Sequence, residues 1–318
     1  MPSHPRPLIG LSGCLHGEPV RFDGAHKRDA WLLDSLGRYV DYRSWCPEVA
    51  IGLGTPRPPI RLVAMDGETR VRGTKDPSID VTEALQDYAR SVAPAMDGLS
   101  GYVFKSKSPS CGLYRVKRYR PDGHPDPATG RGAFAAVLHE GLPLVPMEEE
   151  GRLNDPVLRE NFVMRVFAWQ RWQALRAGEL EPAALIDFHA RHKYLLMAHS
   201  QAAYKRLGRL LSDLSGVDLE ALADTYEVEF MTALARRAGR SRHVNVLLHL
   251  QGYLKRAISP GDKAELAMAI EEYRRGEVPL VVPVRLLLHY FRCHPDDYIA
   301  AQAYLDPYPA GLGLRNHI

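Results

Sequence analysis

Three cysteines, Cys14, Cys46 and Cys111, stand far apart along the chain. They lie in the segments Ser12-Gly13-Cys14-Leu15-His16-Gly17, Cys46-Pro47-Glu48 and Lys107-Ser108-Pro109-Ser110-Cys111-Gly112. Each sits just past an apolar run that reads as a strand. In an open parallel sheet the carboxyl ends of the strands lie on one edge, where ligands bind, so three distant thiols would meet at one place. A free cysteine taken alone is more often a small buried hydrophobe. The company these three keep shifts the balance: Gly or Pro in every loop for close backbone approach, and Ser12, Glu48, Ser108 and Ser110 as polar neighbours. Three thiolates suit a zinc ion with a fourth, open position. They equally suit a cubane iron–sulfur cluster with one iron left free to act as a Lewis acid. The donor set alone does not separate the two. Cys293, before His294-Pro295, reads as a packing residue.

The elements around these loops alternate. Strands are expected at 7–11, 38–42, 60–65, 101–104 and 142–145, with helices at 27–36, 81–92 (Asp80 as N-cap) and 132–139. Such alternation implies an α/β domain, a mostly parallel sheet covered by helices. Gly151 to Pro156 reads as a boundary, giving domains 1–150 and 151–318. Beyond it the periodicity is helical, over 161–175, 185–211, 219–236, 244–256, 263–275 and 284–290, so the second domain is all-α.

The composition restricts the function classes. At 318 residues two domains are the prior. Four cysteines in a chain this long make no disulfide framework, and in a reducing cytoplasm such thiols are free, catalytic or metal-bound. No stretch approaches the ~20 apolar residues of a membrane span. Residues Met1 to Pro7 lack an apolar signal core, so the expected location is cytoplasmic. A net charge of +3 is too small to argue for nucleic acid by itself.

Several segments occur together and in order: Ser12 to Gly17, Val20-Arg21-Phe22-Asp23-Gly24, Cys46-Pro47-Glu48-Val49, Thr55-Pro56-Arg57-Pro58-Pro59, Asp80-Val81-Thr82 and Lys107 to Gly112. Together they resemble the thiouracil desulfidase (TudS) family over about residues 8 to 145. The second half, with Phe188-His189, His192-Lys193, His199-Ser200, Tyr204, Leu207-Gly208 and Gly252-Tyr253-Leu254-Lys255, resembles the YbgA-like domain. The first resemblance implies a [4Fe–4S] cluster on Cys14, Cys46 and Cys111, whose fourth iron takes the sulfur of a thiouracil-type base. It implies as substrate a free thiopyrimidine or a thiolated uridine nucleotide; the fused form suits 4-thiouridine monophosphate. Products are the oxo compound and sulfide, by hydrolysis with no net redox change. Glu48, two residues from a ligand thiolate, is the candidate general base or acid. Ser108 or Ser110 would hydrogen-bond substrate or cluster sulfur; Ser108 ranks first as the one less locked by the turn at Pro109-Ser110. Ser12 is a further polar neighbour, and Arg21, Lys105 and Lys107 are the nearest cations for a phosphate.

Two other readings stand beside this one: a zinc hydrolase on the same thiolates, and an RNA-binding helical domain. The second would use the clusters Lys205-Arg206-Arg209 and Arg236-Arg237-Arg240-Arg242 to bring thiolated tRNA to the site. Basic runs on helices are usually solvated faces, so RNA binding is the weaker reading. His189, His192 and His199, and Tyr204, Asn245, His249 and Tyr253, fall at helical spacing and read as packing stripes.

Overall fold

In the computed structural model, which describes residues 6–318, the first half of the chain forms eight strands. They are β1 (Leu8–Ser12), β2 (Asp41–Trp45), β3 (Ile60–Met65), β4 (Glu68–Gly73), β5 (Gly101–Phe104), β6 (Val116–Tyr119), β7 (Pro125–Gly130) and β8 (Met147–Glu149). Residues 1–5, and the leader reading that rests on them, lie outside the described residues. One sheet has the order β2-β1-β5-β8 and is parallel throughout; the other has the order β4-β3-β6-β7 and is mixed. The expected α/β class holds, with the second sheet as an addition.

The parallel sheet is apolar because both its faces are covered. Ile9, Leu11, Tyr102, Val103 and Phe104 are buried, and helices α3 (Thr82–Val92) and α4 (Ala133–Gly141) pack Ala89, Phe134 and Leu138 into the same core. Two one-turn helices precede these, α1 (Gly13–His16) and α2 (Pro47–Ala50). Gly10 permits the sheet's close packing, since a Cβ there would fall 2.2 Å from the Tyr102 ring. The chain runs outward from β1 to β2, then returns across β1 to β5 on its other side. That reversal of strand order is the switch point at which α/β sheets open a crevice at their carboxyl edge.

Several elements differ from expectation. The strand placed at 38–42 begins three residues later, because Leu36–Arg38 winds as a 3-10 turn. The helix placed at 27–36 shrinks to a π turn at Trp31–Ser35 and that 3-10 turn. The strand placed at 142–145 is instead Met147–Glu149; Pro143 and Pro146 cannot donate to a ladder, and pairing with β5 starts only after them.

The chain divides into two compact units, Met1–Asn154 and Asp155–Ile318. The second is built of α5 (Pro156–Arg176), α6 (Pro182–His199), α7 (Gln201–Leu210), α8 (Leu219–Ala235), α9 (Arg240–Tyr253), α10 (Pro260–Arg275), α11 (Val281–Cys293) and the short α12 (Asp297–Ala300). The run expected over 185–211 breaks at Ser200, whose extended backbone caps α7 by accepting from Ala203 N. Trp172 stacks on Tyr226 at 5.2 Å, and Phe188 and Phe230 complete that aromatic core. His192 and His199 are buried and bonded to the Phe188 and Arg236 carbonyls, as packing residues. Cys293, His249 and Tyr253, by contrast, are exposed, so the packing expectation for these three is corrected: their helix faces look to solvent. In the basic clusters, Arg206 pairs with Glu229, while Arg240 and Arg242 donate to the Tyr273 and His199 carbonyls. Among the described residues no helix is long and apolar enough to cross a membrane.

Candidate active site

The four parallel strands end side by side, and each hands over to a loop or turn that carries site residues. β1 ends on Ser12 and leads into α1, which holds Cys14; β2 leads into Cys46, the N-cap residue of α2. β5 leads into the loop from Lys105 to Cys111, and β8 delivers Glu149 and Glu150 beside it. All three sulfur-bearing residues line one cavity of about 420 Å³, together with Ser12, Arg21, Glu48, Arg57, Lys105, Lys107 and Ser108. Volumes of this order are typical of small-molecule sites. The structure therefore brings together every residue expected at this site except Ser110, which is buried and donates to Glu48 from outside the lining.

The cavity loops are tied down through Glu48. Arg57 donates to its Oε2 from Nε at 2.9 Å and from Nη2 at 2.7 Å, and Ser110 Oγ donates to its Oε1 at 2.8 Å. Arg57 also donates to the carbonyls of Gly54 at 2.7 Å and Val20 at 2.9 Å. It thereby locks the 20–24 and 54–57 segments to the helix that follows Cys46. In the sequence Arg57 stands within the Thr55–Pro59 motif with no sign of this role. Lys27, a further cation on the cavity wall, carries no local sequence signal.

The serines divide by hydrogen bonding. Ser108 Oγ accepts from Ser110 N at 3.2 Å and Cys111 N at 3.1 Å, so Ser108 closes this turn and the reason for ranking it first is corrected. Among the described residues its hydroxyl proton has no acceptor, whereas Ser110 spends its proton on Glu48. Ser12 Oγ accepts from Lys105 N at 3.0 Å, joining the ends of neighbouring strands β1 and β5.

The three expected cations also differ. The Lys105 ammonium is engaged by Glu150 and Ser106 and belongs to the scaffold. Arg21 faces Asp23 through its buried Nε, 3.5 Å from Oδ1, an ion pair without a hydrogen bond. Lys107 is exposed, holds a left-handed backbone (φ 63°) and has no partner among the described residues.

Burial pushes the Cys14 thiol up to about 11, raises Cys46, and carries Cys111 well above the ordinary thiol value. Nearby Lys105 and Arg21 act in the opposite direction on Cys14, and a hydrogen bond from Ser12 does so on Cys111. Without a metal these are neutral thiols; iron or zinc would have to displace their protons. Among the described residues no group of three or more His, Cys, Asp or Glu is placed to hold a single metal ion. Three thiols lining one cavity are the donor type of an iron–sulfur cluster, and the donor set fits that group.

Comparison with known proteins agrees with this division of the chain. Residues 9–150 match the family described as 2-thiouracil desulfurase, and residues 193–309 match the family described as protein of unknown function (DUF1722). The chain is 33% identical over 158 residues to the uncharacterized protein YbgA of Escherichia coli (strain K12), across 49% of this chain and 94% of that protein. It is 31% identical over 157 residues to the uncharacterized protein YbbK of Bacillus subtilis (strain 168), across 46% of this chain and 99% of that protein. Among solved structures it is similar to a [4Fe–4S]-dependent thiouracil desulfidase, TudS, with 33% identity over 47% of this chain and 95% of that one and a TM-score of 0.38.

Proposed function

We propose that this chain, which belongs to the 2-thiouracil desulfurase family over residues 9–150 and to the YbgA-type DUF1722 family over residues 193–309, is an enzyme that removes sulfur from a thiolated pyrimidine. The observation that carries the reading is the meeting of Cys14, Cys46 and Cys111, from three strand ends, on one cavity that also holds Glu48. The substrate is thiouracil or a thiolated uridine nucleotide such as 4-thiouridine monophosphate. Cys14, Cys46 and Cys111 would hold a [4Fe–4S] cluster. A cluster bound by three thiolates supplies one iron without a protein ligand, a soft Lewis acid suited to thiocarbonyl sulfur.

The chain's own residues supply the proton chemistry and the positioning. Glu48 accepts a proton from the attacking water at Oε1, while Arg57 holds Oε2 and Ser110 steadies the carboxylate. The water oxygen replaces sulfur at the ring carbon, the carbon–sulfur bond breaks, sulfur leaves as sulfide, and no electrons are gained or lost. Ser108 donates its free hydroxyl proton to the bound substrate. Ser110 is a positioning residue, acting through Glu48, and Lys105 acts through the loop it braces. Arg21 and Lys107, with Lys27 on the same wall, are the cations available to receive a phosphate. A site that depends on free thiols suits a reducing compartment, and we place the enzyme in the cytoplasm.

The test is anaerobic purification of the full chain, with visible absorption, iron and acid-labile sulfide measured before and after adding 4-thiouridine monophosphate or thiouracil. The expected result is a brown protein, about four irons per chain, and loss of the substrate's near-ultraviolet thione band as sulfide appears. A brown protein inert to both substrates overturns the substrate assignment. A colourless protein containing zinc overturns the cluster and leaves a zinc hydrolase on the same thiolates.

A further inference from the structure

A second cavity of the α/β unit, of about 500 Å³, lies along β3 and β6 of the mixed sheet. It shares a wall with the thiol cavity: Pro59, Ile60, Lys107 and Pro109 line both. Beyond that wall the lining is basic. Arg61 comes from β3, Lys107 from the Cys111 loop, Arg115 from the residue before β6 and Lys117 from β6 itself, and no carboxylate of the described residues joins them. Leu62 pairs in register with Arg118, so Arg61 and Lys117 are neighbours on adjacent strands, and Tyr119 follows Lys117 on the same face. Arg61 lies over the Tyr119 ring at 5.0 Å, and its buried Nε has no hydrogen-bond partner.

None of these four cations has an ion-pair partner among the described residues, although others on the same sheet do. Arg70 is held by Asp80, and Arg118 by Asp126. Like charges gathered without counter-ions repel one another, so the cluster is kept at a cost in stability. Two of the four also hold left-handed backbone, Lys107 at φ 63° and Arg115 at φ 50°, a conformation uncommon outside glycine. Among the described residues the one other non-glycine residue to do so is Asp66, in a hairpin turn. A single phosphate carries about two charges at most, and Arg21, Lys27 and Lys107 already provide for one on the thiol side. Arg61, Arg115 and Lys117 therefore call for an anion that continues past the shared wall. Cations along a groove beside an aromatic ring are the make-up of sites that track single-stranded nucleic acid.

We propose that this second cavity holds the backbone of a single-stranded RNA fragment whose thiolated uridine occupies the thiol cavity. The phosphate that joins the thiouridine to its neighbour meets Lys107 at the shared wall, and the following nucleotide meets Arg61, Arg115 and Lys117. The reacting end of this proposal rests on the desulfidase reading, and the binding end does not.

Binding is measured first, on the anaerobically purified full chain, by the fluorescence anisotropy of a labelled, unmodified hexauridylate across a salt series. The expected slope of log K against log salt is about −2.8, from ~0.7 for each of four phosphate contacts. Arg115→Gln with Lys117→Gln, both at exposed positions, should weaken binding roughly tenfold or more and bring the slope to about −1.4. An unchanged thermal midpoint shows that this double variant folds. Turnover is then measured with the same strand carrying one 4-thiouridine, against 4-thiouridine monophosphate and triphosphate. Conversion of the strand, with a KM below that of the monophosphate and raised by the double variant, supports the proposal. Conversion of the monophosphate but not of the strand overturns it and leaves the desulfidase reading standing. Preference for the triphosphate over the strand gives the cavity to a polyphosphate tail and overturns it too. RNA binding that the double variant weakens, with no thiolated compound converted, supports the groove and overturns the desulfidase reading instead. Absence of RNA binding, or binding that ignores the double variant but is lost in Lys205→Glu with Arg209→Glu, removes RNA from this cavity and overturns the proposal.

Discussion

Glu48 and Cys46 are separated by Pro47 alone, Cys46 as the N-cap residue of α2 and Glu48 within its single turn, so thiol and carboxylate keep a fixed relation. The sequence showed that adjacency. It did not show Arg57, because an arginine nine residues away reads as a surface charge until the loop folds back. In the structure Arg57 is almost entirely buried on Glu48. Glu48→Gln should leave iron content unchanged and lower kcat by about 10²–10⁴-fold, the usual worth of a general base; steady-state kinetics with iron analysis checks both halves. Removing one member of a buried pair strands the other, so Arg57→Met should cost about 3–5 kcal/mol in chemical denaturation. The double variant, Glu48→Gln with Arg57→Met, should cost less than Arg57→Met alone.

The loop bearing Cys111 is braced at both ends by the end of β8. Glu150 accepts from Ser106 N and Oγ, each at 2.7 Å, and Glu149 Oε1 accepts from Leu113 N at 2.7 Å and Tyr114 N at 3.0 Å. Three consecutive glutamates, 148–150, lie at the end of the strand that the prolines shift to Met147–Glu149. β4 was missed, its charged residues hiding a hairpin that Asp66-Gly67 announces with two positive φ angles, 50° and 83°. Close packing supports the same loop from below. A Cβ on Gly132, the N-cap residue of α4, would lie 2.5 Å from the Ser110 backbone, whereas one on Gly141, at the other end of that helix, meets nothing within 4 Å. Gly132→Ala should therefore lower the iron retained on purification, by displacing the Cys111 loop. Gly141→Ala should leave it unchanged.

The helical unit hides titratable groups that the aromatic core cannot hydrate. Burial, reinforced by neighbouring arginines, pushes His192 down to about 3 and His199 down to about 4. The unfolded chain takes up protons near pH 6.5 that the folded unit refuses until about pH 3–4. Stability present at neutral pH is then lost as pH falls from about 6.5 toward 4, by at most about 1.4 kcal/mol per pH unit for each histidine. Denaturant melts at pH 7, 5.5 and 4.5 should show the loss (about 1 kcal/mol or more across the series), and a flat profile would mean these imidazoles charge within the fold.

Residue type and local pattern by themselves determined the class of each half of the chain, strands alternating with helices and then helices alone. They also determined the three thiols and the carboxylate worth watching, because periodicity and the residues flanking a strand end are local properties. Tertiary structure alone decided which strands share the parallel sheet, that Arg57 holds Glu48, that Lys105 is scaffold while Arg21 and Lys107 face the cavity, and that Arg61, Arg115 and Lys117 line another. Those relations depend on long-range pairing and on which polar atoms are left without partners after folding, and no local stretch of sequence encodes either.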